Sequence, residues 1–78
     1  MTDPLILYTR SGCHLCDQVA AMLGVIQVEY TALDIEKDDV LEQRYGLRIP
    51  VLYLPKSGQE LFFPFDEQRL RKFLMEGN

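Results

Sequence analysis

The sequence lacks the features of a membrane or secreted protein. In the opening stretch, MTDPLILYTR, no cluster of positive charge precedes the apolar run, and that run is too short for a signal sequence. No other apolar run approaches the length of a membrane span. The 2 cysteines are too few to cross-link a small secreted domain. We therefore expect a cytoplasmic protein that makes no membrane contact.

Positive charge is also scarce. Eight Lys and Arg against 12 Asp and Glu give a net charge of -4 at pH 7. Nucleic-acid binding relies on clustered basic side chains, and the closest group here is Arg69, Arg71 and Lys72, which is typical of a solvated helix face. A chain of 78 residues has the size of one small domain. We expect a single domain over residues 1–78, acting as a monomer without nucleic acid.

The hydrophobic periodicity changes along the chain and predicts an α/β domain. Short apolar runs that end in turn residues predict strands, whereas apolar residues at helical spacing, such as Leu15, Val19 and Leu23, predict a helix with one buried face. The predicted elements are a strand over 5–9, a helix over 13–24 that Gly24 ends, a strand over 28–33, a helix over 38–46, strands over 50–54 and 60–63, and a last helix capped by Asp66. This β-α-β-α-β-β-α order predicts a four-stranded mixed sheet with helices on both faces.

Both cysteines and the only histidine fall within the stretch Cys13-His14-Leu15-Cys16. If the helix begins near Cys13, unpaired backbone N–H groups lie beside its sulfur and favour the thiolate, and Arg10 adds positive charge. Cys16 then lies one turn further on the same side. This spacing predicts that Cys13 attacks a substrate disulfide and that Cys16 resolves the mixed disulfide. His14 either tunes the pKa of Cys13 or is simply an exposed side chain.

Two other interpretations of the cysteine pair stay open. A free cysteine is often a small buried hydrophobe, which suits Cys16 better than Cys13, since Cys13 follows an Arg-Ser-Gly turn. A structural zinc site needs four Cys or His ligands, so zinc or an iron–sulfur cluster would require two chains to share their ligands. Haem attachment through C-x-x-C-H is excluded because Asp17 follows Cys16. We expect no metal site within one chain.

A proline at the start of the third strand supplies a second signal. X–Pro bonds adopt the cis form at modest cost. A cis Ile49–Pro50 bond would turn the chain sharply and expose the backbone groups of Ile49 near the cysteines, where an extended substrate could pair. An ordinary trans proline at a strand start also fits these residues.

The C-x-x-C turn after the first strand, the later Ile-Pro and the closing hairpin resemble the thioredoxin superfamily, and the short chain is most similar to its glutaredoxin branch. Arg10 matches the basic residue that glutaredoxins carry three positions before their first cysteine. Asp34-Ile35 matches a pair that follows their second strand, and Pro50 matches their cis-proline. The resemblance covers nearly the whole chain.

The sequence also departs from both glutaredoxins and thioredoxins. Glutaredoxins usually have Pro-Tyr where this chain has His14-Leu15, and a Gly-Gly turn that binds part of glutathione where this chain has residues 63–65, Phe-Pro-Phe. Thioredoxins have a tryptophan before the first cysteine and a buried aspartate at the position of Leu7. This chain contains no tryptophan.

The resemblance implies a thioredoxin-like fold and thiol–disulfide oxidoreductase activity, with Cys13 as nucleophile and Cys16 as resolving residue. It implies that Ile49 and Pro50 shape substrate docking and that Arg10 steers anionic partners. The substrate would be a protein or small-molecule disulfide, the reductant glutathione or a thioredoxin-type protein, and no cofactor is expected. The alternative is a non-catalytic binding module of the same fold that holds zinc or an iron–sulfur cluster in a dimer.

Overall fold

A computed structural model describes residues 5–76. Its elements are, in chain order, β1 (Leu5–Thr9), α1 (His14–Val25), β2 (Tyr30–Asp34), a short 3-10 helix (Ile35–Lys37), α2 (Asp39–Tyr45), β3 (Val51–Leu54), β4 (Gln59–Phe62) and α3 (Glu67–Glu76). The predicted order of strands and helices is confirmed. Across the described residues, no helix combines the length and the apolar character needed to cross a bilayer.

The four strands form one mixed sheet in the order β2-β1-β3-β4. The central strand β1 runs parallel to β2 and antiparallel to β3, and β3 pairs with β4 as an antiparallel hairpin. A helix separates β1 from β2, and such a crossover returns the chain in the same direction. The predicted mixed sheet is therefore confirmed.

Successive side chains of the strands point to opposite faces of the sheet, and each face has its own core. On one face, leucines of β1, β3 and β4 pack against α1 and α3; this cluster contains Leu5, Leu7, Val19, Leu23, Leu52, Leu54, Leu61, Leu70 and Phe73. On the other face, Tyr8 and Val51 pack against Ile35 and against Tyr45 of α2. Helices therefore cover both faces, as predicted.

Helix α1 differs from its prediction at both ends of the expected apolar face. Gly24 was predicted to end the helix, but α1 continues through it to Val25, and the backbone turns at Gln27, where φ is 58°. Leu15 was predicted to be buried, but it is 44% exposed. The buried face is defined by Val19 and Leu23, and Leu15 lies to one side of it.

Aspartate side chains cap the two later helices, and the cap by Asp66 was predicted. Asp38 accepts a hydrogen bond from the N–H of Val40 at 2.9 Å, and Asp66 accepts one from the N–H of Arg69 at 2.8 Å. Gly46 follows α2 directly, but its φ of -53° is right-handed, so the chain leaves this helix without the left-handed turn that a terminal glycine often adopts.

Strand β1 has its predicted bounds, and the other three strands shift by one or two residues at one or both ends. Strand β2 begins at Tyr30 because the N–H of Val28 donates to the carbonyl of Leu23 and completes the turn after α1. Strand β3 begins at Val51, immediately after Pro50, and β4 begins and ends one residue earlier than predicted.

Candidate redox site

The turn between β1 and α1 places Cys13 at the N-terminus of the helix. The carbonyl of Arg10 accepts a hydrogen bond from the N–H of Cys13 at 3.2 Å. Gly12, the third residue of this four-residue turn, has a φ of +79°, which glycine adopts without steric cost. Cys13 itself is extended and is the N-cap residue of α1. The Arg-Ser-Gly sequence thus turns the chain so that the helix begins directly after the first cysteine.

The two cysteines form a disulfide, and their Cα atoms are 5.2 Å apart. The sulfur of Cys13 also accepts a hydrogen bond from the N–H of Cys16 at 3.1 Å. Cys16 is 2% exposed, whereas Cys13 is partly exposed. An external reactant therefore reaches Cys13 first, and Cys16 lies behind it. His14 is exposed at the first position of α1, and its influence on Cys13 stays a prediction.

The Ile49–Pro50 bond is cis and lies at the same end of the sheet as the cysteine turn. Pro50 is fully buried and immediately precedes Val51, which pairs with Tyr8 near the end of β1. The cysteine turn leaves β1 one residue later, after Thr9. The antiparallel pairing of β1 with β3 therefore brings the two predicted signals together.

The loop before the cis bond is attached to the end of α2. The carbonyl of Tyr45 accepts hydrogen bonds from the N–H of Arg48 at 2.8 Å and from the N–H of Ile49 at 3.1 Å. The docking role predicted for Ile49 relied on exposed backbone groups, and its N–H is engaged inside the protein. Any backbone pairing by Ile49 would therefore use its carbonyl, unless this bond opens.

A second cis peptide bond, Phe63–Pro64, lies beside the first and was not predicted from the sequence. The N–H of Phe63 donates to the carbonyl of Pro50 at 3.4 Å. The rings of Phe63 and Phe65 pack edge to face, with their centroids 5.6 Å apart. Aromatic side chains thus occupy the segment that corresponds, by the resemblance, to the Gly-Gly turn of glutaredoxins.

Arg10 is paired with Glu42 of α2. Its guanidinium donates a hydrogen bond from Nη2 to Oε1 of Glu42, and this bond is the largest cause of the raised pKa of Arg10. Gly46 lies against the pair, and a Cβ atom at this position would be 3.0 Å from Oε1 of Glu42 and 3.5 Å from Nη2 of Arg10. Thirty-two positions separate Arg10 from Glu42, so no local signal in the sequence reveals this contact.

Three tyrosines pack together on the α2 face of the sheet. The ring of Tyr8 stacks on that of Tyr45, with centroids 4.6 Å apart, and lies 6.1 Å from that of Tyr53. The hydroxyl of Tyr45 donates to Oε2 of Glu60. Burial and this hydrogen bond raise the pKa of Tyr45 to about 12, and burial also raises the pKa of Tyr8. This cluster, which the sequence did not reveal, anchors the end of α2 from which the cis-proline loop departs.

No group of three or more His, Cys, Asp and Glu side chains between residues 5 and 76 is arranged to hold a metal ion. A site shared between two chains stays a prediction.

The family model described as "Glutaredoxin-like domain (DUF836)" matches residues 4–75. This chain belongs to the glutaredoxin-like domain family. A comparison with curated proteins finds no significant match.

Solved structures show the same fold in relatives of this glutaredoxin-like chain. The X-ray structure of target protein XcR50 from X. campestris is 45% identical, with a TM-score of 0.85, and the match covers 92% of this chain and 96% of that one. The solution structure of the same protein is 44% identical, with a TM-score of 0.84 and coverage of 94% of each chain. Protein Ne2328 from Nitrosomonas europaea is 29% identical, with a TM-score of 0.78 and coverage of 94% and 92%. The predicted thioredoxin-like fold is confirmed.

Proposed function

We propose that this protein is a thiol–disulfide oxidoreductase. One observation supports this most strongly: partly exposed Cys13 begins α1 within bonding distance of buried Cys16, at the sheet end that also carries cis Pro50. A structural cysteine pair would not need one sulfur at an accessible helix N-terminus. The helix N-terminus favours the thiolate, which is the reactive form in disulfide exchange.

The reaction proceeds through two exchanges. The Cys13 thiolate attacks one sulfur of a substrate disulfide, forms a mixed disulfide and releases the first substrate thiolate, which takes up a proton from water. Cys16 then loses its proton, attacks the Cys13 sulfur and releases the second substrate thiolate, which takes up the proton that Cys16 lost. The substrate gains two electrons and two protons, and the protein is left with the Cys13–Cys16 disulfide found here.

A second pair of thiols returns the protein to its reduced form. Two glutathione molecules, or the dithiol of a thioredoxin-type protein, would supply the two electrons. We propose a monomer that acts on protein or small-molecule disulfides in the cytoplasm, where thiol reductants return an oxidised cysteine pair to the dithiol. Cis Pro50 and the carbonyl of Ile49 would guide the substrate.

The test is equilibration of the protein across graded mixtures of reduced and oxidised glutathione, followed by acid quenching and mass spectrometry. We expect a two-electron titration between the dithiol and the Cys13–Cys16 disulfide, together with a glutathione adduct on Cys13 if glutathione is the reductant. The proposal fails if no intramolecular disulfide forms at any ratio.

Single-cysteine variants separate the two roles. We expect Cys13→Ser to abolish disulfide reduction and Cys16→Ser to accumulate a mixed disulfide on Cys13, because the second exchange is lost. Ser11→Ala, in the same turn, is the control and keeps both steps. Wild-type turnover by Cys13→Ser would contradict the assignment.

The alternative, a non-catalytic module that holds zinc or an iron–sulfur cluster between two chains, stays a prediction. Metal analysis and elution volume of protein purified without oxygen would test it. Bound metal in a dimer, with no disulfide reduction, would favour the alternative.

A further inference from the structure

An open pocket of about 300 Å³ lies beside the cysteine turn. Arg10, Arg44 and Arg48 line it, and Glu42 is its one acidic lining residue. Arg10 begins the cysteine turn, and Arg48 lies two residues before cis Pro50. Guanidinium groups suit carboxylate binding because their N–H donors match its two oxygens. In a chain with a net charge of -4, this concentration of arginine favours an anionic ligand.

The carboxylate of Glu42 already binds the guanidinium of Arg10. Its Oε1 accepts the hydrogen bond from Nη2 of Arg10, as the carboxylate of a ligand would. The side chains of Arg10 and Glu42 are 32% and 42% exposed, so solvent and a ligand can reach the pair. Gly46 leaves the space in which the two side chains meet.

The second oxygen of Glu42 makes this internal pairing incomplete. Oε2 is buried and finds no hydrogen-bond partner among the described residues. A buried carboxylate oxygen without a donor is destabilised relative to a hydrated one. If Glu42 swings out of the pocket, Oε2 becomes hydrated, and this gain offsets part of the lost pairing with Arg10. The contact is therefore suited to exchange with an external carboxylate.

We propose that Glu42 determines substrate specificity by occupying Arg10 until a carboxylate on the disulfide substrate displaces it. This inference rests on the proposed oxidoreductase function and adds one element to the steering role of Arg10: Glu42 competes with anionic disulfides for that guanidinium. Glu42 acts through Arg10 and takes no part in the sulfur chemistry. Its negative charge lowers the reactivity of the protein towards anionic disulfides. Its removal takes away the hydrogen-bonded partner of Arg10, while the charges of Glu36 and Asp34 still act on that guanidinium.

The test compares the oxidation of reduced protein by three disulfides that differ in charge. Dithiodiglycolate is dianionic, bis(hydroxyethyl) disulfide is neutral and cystamine is dicationic. Second-order rate constants come from acid-quenched time courses analysed by mass spectrometry. For Glu42→Gln, which keeps the shape and a hydrogen-bond acceptor, we expect the ratio of the anionic to the neutral rate constant to rise about two- to fivefold over wild type. The ratio of the cationic to the neutral rate constant should fall.

Glu29→Gln is the matched control because it removes the same charge at the opposite end of the sheet. Glu29 precedes Tyr30, which pairs with Leu5 at the start of β1, whereas Arg10 follows the end of that strand. We expect its rate-constant ratios to equal those of wild type. In an Arg10→Gln background, Glu42→Gln should no longer raise the anionic ratio.

Three results would overturn the inference while leaving the proposed function in place. These are unchanged ratios in Glu42→Gln, an equal change in Glu29→Gln, and a rise that persists without Arg10. A parallel fall of all three rate constants in Glu42→Gln, with the ratios unchanged, would also overturn it and would show that the pair only positions the turn. If none of the three disulfides oxidises the wild-type cysteines, the proposed function itself fails.

Discussion

Replacing Tyr45 with Phe removes one hydroxyl group from the cluster that anchors α2. The side chain is 3% exposed, and its ring stacks on Tyr8, a contact that phenylalanine keeps. The change removes the hydrogen bond to the carboxylate of Glu60. A hydrogen bond to a charged group contributes about 1.5–3 kcal/mol, and less where water replaces the lost donor. Because Glu60 is only half-buried, we expect the free energy of unfolding to fall by about 1–2 kcal/mol at neutral pH.

The size of this loss should depend on pH. The pKa of Tyr45 is raised from 10.0 to about 12, first by burial and then by the hydrogen bond to Glu60. The folded state thus keeps the proton more tightly than the unfolded chain. The corresponding stabilisation is complete below pH 10 and disappears as the pH rises towards 12. The stability difference between wild type and Tyr45→Phe should shrink over this interval.

Urea unfolding of the oxidised proteins, followed by circular dichroism, measures both effects. Tyr53→Phe is the matched control because it removes a tyrosine hydroxyl from the same cluster, where Tyr53 is only half-buried. We expect Tyr53→Phe to lower the free energy of unfolding less than Tyr45→Phe does at neutral pH. An equal cost would refute the role assigned to the Tyr45–Glu60 bond. A difference between wild type and Tyr45→Phe that stays constant from pH 10 to pH 12 would refute the linkage.

Four further substitutions test the packing around the site by the same unfolding measurement. Gly46→Ala should cost about 1–3 kcal/mol, since its Cβ would lie 2.5 Å from the carbonyl oxygen of Glu42; an unchanged midpoint would contradict this. Leu23→Ala should lower the free energy of unfolding by about 2–5 kcal/mol because Leu23 is a fully buried residue of α1, and a loss below that range would mean that the core closes around the cavity. Asp66→Ala should lower the free energy of unfolding by about 1 kcal/mol because α3 loses its cap. Asp66→Asn should keep most of this stability because its amide oxygen can accept the same hydrogen bond. Leu15→Ser should be nearly neutral because Leu15 is 44% exposed, and a large loss would argue for a buried position.

The chemistry of the site depends on contacts between residues close in the sequence and on contacts between residues far apart in the sequence. The cysteine turn is held by short-range bonds, from Cys13 to Arg10 and from Cys16 to Cys13. The cis Pro50 comes from a distant segment and reaches the turn only because β1 pairs with β3. Variants in the turn should therefore affect the reactivity of the sulfur directly. Variants at Tyr45, at the end of α2, should act through the loop before the proline.

The sequence by itself determined the order of the elements, the cap of α3, and the position of the cysteine pair. These features depend on residues a few positions apart, such as Asp66 and Arg69, whose hydrogen bond forms within one helical turn. The cis Pro50 followed only from resemblance to a family, because a trans bond satisfies the same local sequence.

Only the tertiary structure decided which distant side chains come into contact and which side chains are buried. Arg10 was predicted to be a steering charge, and its pairing with Glu42 depends on how α2 lies against the cysteine turn. The exposure of Leu15 likewise depends on the rotation of α1 over the sheet, which Val19 and Leu23 settle by filling the core. Such contacts arise from the packing of whole elements, and a local pattern of residue types contains no information about distant partners.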